Sequence, residues 1–367
     1  MGAAQIWHKI AEKLAWTSRE IDAGIPYISV GGVYRDKAQD DIAWWTNGFY
    51  AGILWMLYEQ TGDAFYRIKA ETIEQRLDEV LYGFDGLHHD VGFLWMPTAV
   101  RNYTLTGNET SRQRAMLAAS VLASRFRLSG GFIRAWNGKD NRARAIIDCM
   151  MNIPLLYWAS EQCGDDRFAQ IARAHADTTL RAFVRGDGSV HHIVDFDPET
   201  GEVADTPRGQ GYAPGSSWSR GQAWAIYGFA QSYEATREQR YLDAAKRVAH
   251  YYLSQTAEDS LPKCDFRQPS TPILWDATAG AIAAGGLLRL ARCTQGAESA
   301  GYYRAAKRIV QDYDARICDW SRKEQGIVRM GTGAYHHSDS VHVPIIYGDY
   351  YFIETVLELK RWEETQA

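Results

Sequence analysis

With 45 acidic against 40 basic residues among 367, a formal net charge of −5, the chain has no surplus of cations with which to clamp a polyanion, so a nucleic-acid groove is excluded. No run is long and uncharged enough to span a bilayer, and five cysteines, odd in number and without a C-x-x-C pair, fit a reducing cytoplasm better than a disulfide framework. No linker, charge block or low-complexity stretch divides the chain, so residues 1–367 are read as one domain.

Residues 1 to 22 place Trp7, Ile10, Ala11 and Leu14 on one side and Lys9, Glu12 and Lys13 on another, which predicts an amphipathic helix rather than a secretion signal. Trp44-Trp45-Thr46-Asn47-Gly48-Phe49 then opens a second, apolar helix. From there one pattern recurs: an aromatic-rich apolar helix, a short Gly/Asp turn, and a second helix with alanines and an aromatic at helical spacing. The turns are Gly62-Asp63, Gly107-Asn108, Gly164-Asp165, Arg237 and Gln295-Gly296. Gly suits a helix C-cap and Asp or Asn an N-cap, so each unit reads as an αα-hairpin. Variable spacing and inserts rich in Gly, Trp and His favour a closed all-α barrel of hairpins over an open solenoid. Loops around 83–97, 128–145, 185–220 and 326–347 are expected on one rim, with a small hairpin within 185–206.

Two carboxylates stand out by their surroundings. Asp148 is the one charged residue between Arg144 and Glu161, in a stretch read as a buried apolar helix, and Asp90 lies in the apolar run His88 to Met96. Desolvation favours the protonated form of a buried carboxyl, and two such groups suffice for acid/base work on a sugar. Composition adds 13 Trp, 21 Tyr and 12 Phe, which serve either as core or as plates for sugar rings. Gly215 to Phe229 is the densest motif. Serines are expected to cap its helix, with Arg220 and Trp224 four apart on one face as a cation beside an aromatic plate. The pairs His88-His89, His191-His192 and His336-His337 lack the ligand spacing of a zinc site, so they are read as hydrogen-bonding imidazoles with no metal and no cofactor. No G-x-S-x-G or phosphate-cradling loop occurs.

The segments Leu87-His88-His89-Asp90-Val91-Gly92-Phe93, Ile146 to Leu156, Trp218-Ser219-Arg220-Gly221-Gln222-Ala223-Trp224 and Tyr347-Gly348-Asp349-Tyr350-Tyr351 resemble, in order and spacing, the hallmarks of bacterial unsaturated glucuronyl hydrolases. The resemblance runs from the first helix to the last. It implies an (α/α)6 barrel acting on oligosaccharides left by polysaccharide lyases, which carry a 4,5-unsaturated uronic acid at the non-reducing end. It implies vinyl-ether hydration, with Asp148 as general acid/base and Asp90 orienting substrate and stabilising developing positive charge. By the same resemblance Trp45, His89, Trp136, His192, Gln210, Ser216, Trp218, Arg220 and Trp224 line the subsite for the unsaturated sugar, with Arg208 in a loop that varies. Asn47 stands where the pattern has an acid. His336 to Ser340 is a candidate for reading the second sugar. The expected partner is thus an unsaturated oligosaccharide, with no nucleic acid and no membrane, and the protein a monomer or weak homodimer. The alternatives are an unsaturated rhamnogalacturonyl hydrolase acting on pectin fragments and a non-catalytic sugar-binding helical barrel.

Overall fold

The computed structural model describes residues 2–22, 24–83 and 86–366. Residues 84 and 85 of the loop expected at 83–97, and residues 1, 23 and 367 of the expected single domain, lie outside the described residues. The chain groups into two compact units that interleave in sequence: Met1–Asp36, Arg185–Val190 and Arg208–Ala367 form one, Lys37–Val184 and His191–Pro207 the other.

Each unit is built from αα-hairpins; in the second unit the turns follow the Gly caps legible in the sequence, whereas in the first Arg237 takes the left-handed position and Gly296 opens the second helix instead of ending the first. In the second unit, Phe49–Thr61 and Ala64–Arg76 meet at Gly62, left-handed at φ 70°, and Asp63, whose side chain accepts from Phe65 N. Arg101–Thr106 and Glu109–Ser124 meet at Gly107 and Asn108 in the same way. Pro154–Cys163 and Arg167–Phe183 meet at Gly164, with Asp165 Oδ1 accepting from Arg167 N at 3.0 Å. Only a residue tolerant of positive φ ends a helix this way, which is why Gly recurs there. In the first unit, Ser219–Thr236 pairs with Gln239–Gln255 through a left-handed Arg237, and Ala277–Cys293 with Gly296–Asp312, while Ala3–Glu20 packs on Ile346–Gln366.

In three of these hairpins one helix is enclosed and its mate half-exposed. Phe49 to Leu57 are buried without a break, whereas Ala64–Arg76 buries Tyr66, Ala70, Ile73 and Glu74. Ser219–Thr236 and Ala277–Cys293 are likewise enclosed almost throughout. Apolar residues on every side oblige a helix to be surrounded, and a single stripe obliges it to sit outside.

Local departures from the sequence reading have identifiable causes. The second helix starts at Phe49, not at the tryptophans, because the Trp44 to Asn47 segment forms turns and Gly48 presses on the next segment: a Cβ there would lie 2.3 Å from Phe93 O. Much of the loop expected at 83–97 is helical, Val91–Trp95 continuing through a π-turn at Met96–Val100. The stretch read as a helix around Asp148 is three elements: a strand Arg144–Ile146, a 3-10 turn Ile147–Met151, and a helix that begins at Pro154, a residue suited to a first helical turn. The hairpin expected within 185–206 forms between Ile193–Phe196 and Val203–Asp205, with Asp197 Oδ1 accepting from Glu199 N and Thr200 N at the turn, and its first strand also pairs with Arg144–Ile146. Lys13, placed by the sequence on a polar face, is buried and donates to the carbonyls of Ser321 and Glu324.

Candidate active site

The second unit holds both carboxylates. Asp90 ends the 86–90 segment, and Arg125 fastens that segment from below: its guanidinium donates to Leu87 O at 3.1 Å, Ala135 O at 2.8 Å and Arg134 O at 2.9 Å, while His89 N donates to Ala135 O at 3.1 Å. Asp148 rides on the turn after the strand Arg144–Ile146, whose antiparallel register pairs Ile146 with Ile193. The next rung, Ile147 N to His192 O at 3.0 Å, sets His192 beside Asp148, with Nε2 3.6 Å from Asp148 Oδ2.

Close packing joins the two segments. A Cβ on Gly92 would lie 2.5 Å from Asn152 Cα, so the helix after Asp90 presses directly on the turn that carries Asp148. Asn152 fills the joint: it accepts from Phe93 N at 2.8 Å and donates to Asp90 Oδ1 at 3.2 Å and to Asp148 O at 3.1 Å.

The electrostatics follow from burial. Asp90 is 7% exposed, and desolvation, reinforced by the neighbouring charge of Asp148, pushes its carboxyl well above the usual range against the Asn152 hydrogen bond and Arg125. Burial and then Arg125 push the His88 imidazole down to about 4. Burial pushes His89 lower than usual too, helped by His88 and Arg125. Both rings are therefore neutral near pH 7. Each reaches the same oxygen, Asp90 Oδ2, His88 Nδ1 at 3.3 Å and His89 Nε2 at 3.5 Å. One atom from each of His88, His89 and Asp90 falls within 4.8 Å of the others. Convergence of both rings on one oxygen suits imidazoles serving a carboxyl, as the sequence suggests. Cys149, enclosed beside the acids, is held as a thiol by burial and by Asp90.

Trp45 and Trp136 are half-buried in this unit. Trp45 packs on Phe49 and Phe93, and Trp136 lies against Ala135, Ile146 and Ile193 with the Arg144 guanidinium 5.7 Å from its ring. Asn47, the departure from the family pattern, is wholly buried and donates from Nδ2 to Asp41 O and Ile42 O, both at 3.0 Å. It is a structural donor; an acid at this position would aim an oxygen at two carbonyls. Asn47→Asp is expected to cost about 3 kcal/mol of stability at neutral pH, less as pH falls and the carboxyl protonates, measured by urea denaturation.

The first unit holds the remaining sequence candidates, and here burial changes their roles. Arg220 is 1% exposed: Nη1 pairs with Asp276 Oδ2 and donates to Thr332 O at 2.8 Å, and Nη2 donates to Gln210 Oε1 at 2.8 Å and to Gly333 O. Its guanidinium lies 4.5 Å from the Trp218 ring centroid and 5.2 Å from that of Tyr347. The sequence pairs Arg220 with Trp224, but Trp224 has no exposed surface and packs edge-on against Tyr351. Trp218 is buried as well, so these three offer no open face for a sugar. The expected serine cap is also absent: Trp218 is the N-cap, and Ser216 Oγ donates to Asp265 Oδ2 at 2.6 Å. Asp265, wholly buried, also accepts from Tyr212 N, Ser217 N and Arg267 N, which fastens the 211–217 loop. Just ahead of that loop, Arg208 is exposed and Gln210 is half-buried. Tyr335 N donates to Gln210 O at 2.9 Å and His336 Nε2 bonds Tyr212 O at 2.8 Å, which attaches the expected second-sugar segment to it.

Arg125, Asn152, Asp265 and Asp276 escaped the sequence reading. Asn152 had one signal, its place four residues beyond Asp148; Asp276 had another, a lone acid at the head of an alanine-rich helix.

An enclosed Asp90 joined through Asn152 to a half-buried Asp148, in a fold of αα-hairpins, suits a glycoside hydrolase of the α/α-barrel class. Residues 29–264 match the model of Glycosyl Hydrolase Family 88, and the chain belongs to that family. It is 37% identical over 368 residues, 97% of each chain, to the unsaturated glucuronyl hydrolase of Bacillus sp. strain GL1. It is 34% identical over 330 residues to the unsaturated chondroitin disaccharide hydrolase of Streptococcus pyogenes serotype M1, covering 87% of this chain and 82% of that one. A solved structure described as UGL with dGlcA-Glc-Rha-Glc superposes with a TM-score of 0.92 at 37% identity, over 96% of both chains. The resemblance to unsaturated glucuronyl hydrolases and the expected α/α-barrel fold are thereby borne out. No described helix is long and apolar enough to cross a membrane.

Proposed function

We propose that the enzyme releases the 4,5-unsaturated uronic acid from the non-reducing end of lyase-generated, glycosaminoglycan-type oligosaccharides by hydrating its C4=C5 vinyl ether. The observation that carries this reading is the adjoining pair of enclosed carboxylates, Asp148 and Asp90. Asp148 gives a proton to C4 and takes one from the water whose oxygen bonds to C5. The C5 hemiketal then opens by breaking the bond to the ring oxygen, and the hemiacetal left at C1 expels the remaining glycan as an alcohol. One water is consumed and one glycosidic bond is broken.

Asp90 is proposed to orient the substrate, as the family resemblance implies; desolvation and the neighbouring Asp148 push its carboxyl well above the usual range, which favours a hydrogen-bond donor to a sugar hydroxyl over a counter-charge. His89, His192, Trp45 and Trp136 are proposed to line the same site. Arg208 and Gln210 are proposed as substrate contacts on the motif resemblance, with Arg220, Trp218, Trp224 and Ser216 shaping their loop. We read the chain as one catalytic domain, since it passes between its two compact units at 36/37, 184/185, 190/191 and 207/208. A cytoplasmic monomer or weak homodimer is the accompanying proposal, supported by five cysteines of which none pairs with another.

The test follows the alkene absorbance of two lyase-generated disaccharides, one from chondroitin and one from rhamnogalacturonan. Loss of absorbance with the chondroitin product, unchanged by a metal chelator, is expected. Turnover of the rhamnogalacturonan product alone would transfer the enzyme to pectin, and turnover of neither would make it a non-catalytic binder.

A further inference from the structure

We infer that Asn152 is a positioning residue for the acid pair, a single amide that holds the Asp90 side chain, the Asp148 backbone and the helix following Asp90 in one arrangement. The inference rests on Asp90 and Asp148 being that pair.

The orientation of this amide is dictated by its surroundings. Phe93 N is a donor, so the atom facing it at 2.8 Å is the amide oxygen, and the nitrogen must then face Asp90 Oδ1 and Asp148 O. The side chain is wholly buried and three of its hydrogen-bonding positions are filled by these partners. Leucine would fit the volume but satisfy none of the three groups, and aspartate would turn an oxygen towards two other oxygens. The packing leaves little freedom, because Gly92 sits against the Asn152 backbone where any larger residue would collide.

The consequence for chemistry is which oxygen of Asp90 holds its proton. Oδ1 accepts the Asn152 N–H, so the proton belongs on Oδ2, the oxygen that His88 Nδ1 and His89 Nε2 approach. The charged and titratable groups around Asp90 are His88 and His89 on its own segment, Arg125 from the end of the Glu109–Ser124 helix, and Asp148 and Cys149 from the 3-10 turn. Arg125 supplies the nearby cation, and Asn152 supplies an uncharged hydrogen bond that favours the ionised carboxyl. The alkaline limb of the rate profile is taken to report loss of the Asp90 proton, whose carboxyl is held above the usual range by burial. Removing the amide donor makes the Asp90 carboxylate harder to form. The alkaline limb must therefore move to higher pH.

The experiment measures kcat and KM against pH for the full chain and for Asn152→Asp and Asn152→Ala, with the unsaturated chondroitin disaccharide as probe and thermal unfolding as the check on folding. For Asn152→Asp, kcat is expected to fall roughly 100-fold at neutral pH with KM changed less than about threefold, because the loss is confined to the transition state. The alkaline limb should rise by about one pH unit or more. Asn152→Ala should shift the limb the same way with a smaller fall, and it carries the test if the aspartate variant does not fold. A fall in kcat with an unmoved alkaline limb, or a wild-type profile in both variants, overturns the inference. Asp148→Asn run in parallel separates the two ideas: if that variant keeps its turnover, the acid-pair reading itself is wrong.

Discussion

Replacing Asp148 by asparagine is expected to lower kcat on an unsaturated disaccharide by roughly 10²–10⁴-fold, the range that a positioned general acid/base contributes, while KM stays within a few-fold of wild type. The amide has the same shape, so the 3-10 turn Ile147–Met151 and the backbone bond from Asn152 to residue 148 are preserved. What is lost is the transferable proton. The side chain is only 14% exposed and lies against His192, so bulk water is poorly placed to substitute for it. Stability should hold, because the amide keeps the size and shape of the side chain beside the enclosed Asp90. Steady-state kinetics on the purified variant decide the matter, and turnover within tenfold of wild type would remove Asp148 from the mechanism.

The second large effect concerns Arg220. Had its guanidinium been available to grip the substrate carboxylate, Arg220→Met would raise KM and leave the fold alone. The structure leads to the opposite emphasis. Removing the cation leaves Asp276 enclosed and ionised and takes the donor from the carbonyls of Thr332 and Gly333. Breaking one side of a buried pair costs about 3–5 kcal/mol, which urea denaturation would register as a fall in midpoint. Asp276 also caps the Ala277–Cys293 helix through Thr278 N at 3.1 Å, a role asparagine can keep. The double change Arg220→Met with Asp276→Asn should therefore recover part of the loss by discharging the orphaned acid. A stable Arg220→Met whose only defect is KM would return Arg220 to direct substrate binding.

The hairpin rhythm, with its Gly and Asp or Asn caps and its alternation of enclosed and striped helices, was legible in the chain because these are local requirements of helix ends and of apolar periodicity. Asp90 and Asp148 were legible as well, being charges in stretches with little else to solvate them. Arg220 and Trp224 drew attention for their chemistry, and there the sequence leaves the role open: a buried cation and a ligand-gripping cation look alike until the partner is known. Asp276, the partner, lies 56 residues away. Asn47 shows the same limit, since the two carbonyls that require its amide belong to a turn.

What this chain determined by itself was the class of fold, the family motifs and the two acids. Only the tertiary structure decided that Asp148 sits on a 3-10 turn beside His192, that Asp90 is the carboxyl pushed towards its protonated form, and that Asn152 joins them. The reason is physical: caps and periodicity act over a few residues and leave a local trace, whereas desolvation and hydrogen-bond partnership depend on segments brought together from dozens of positions apart.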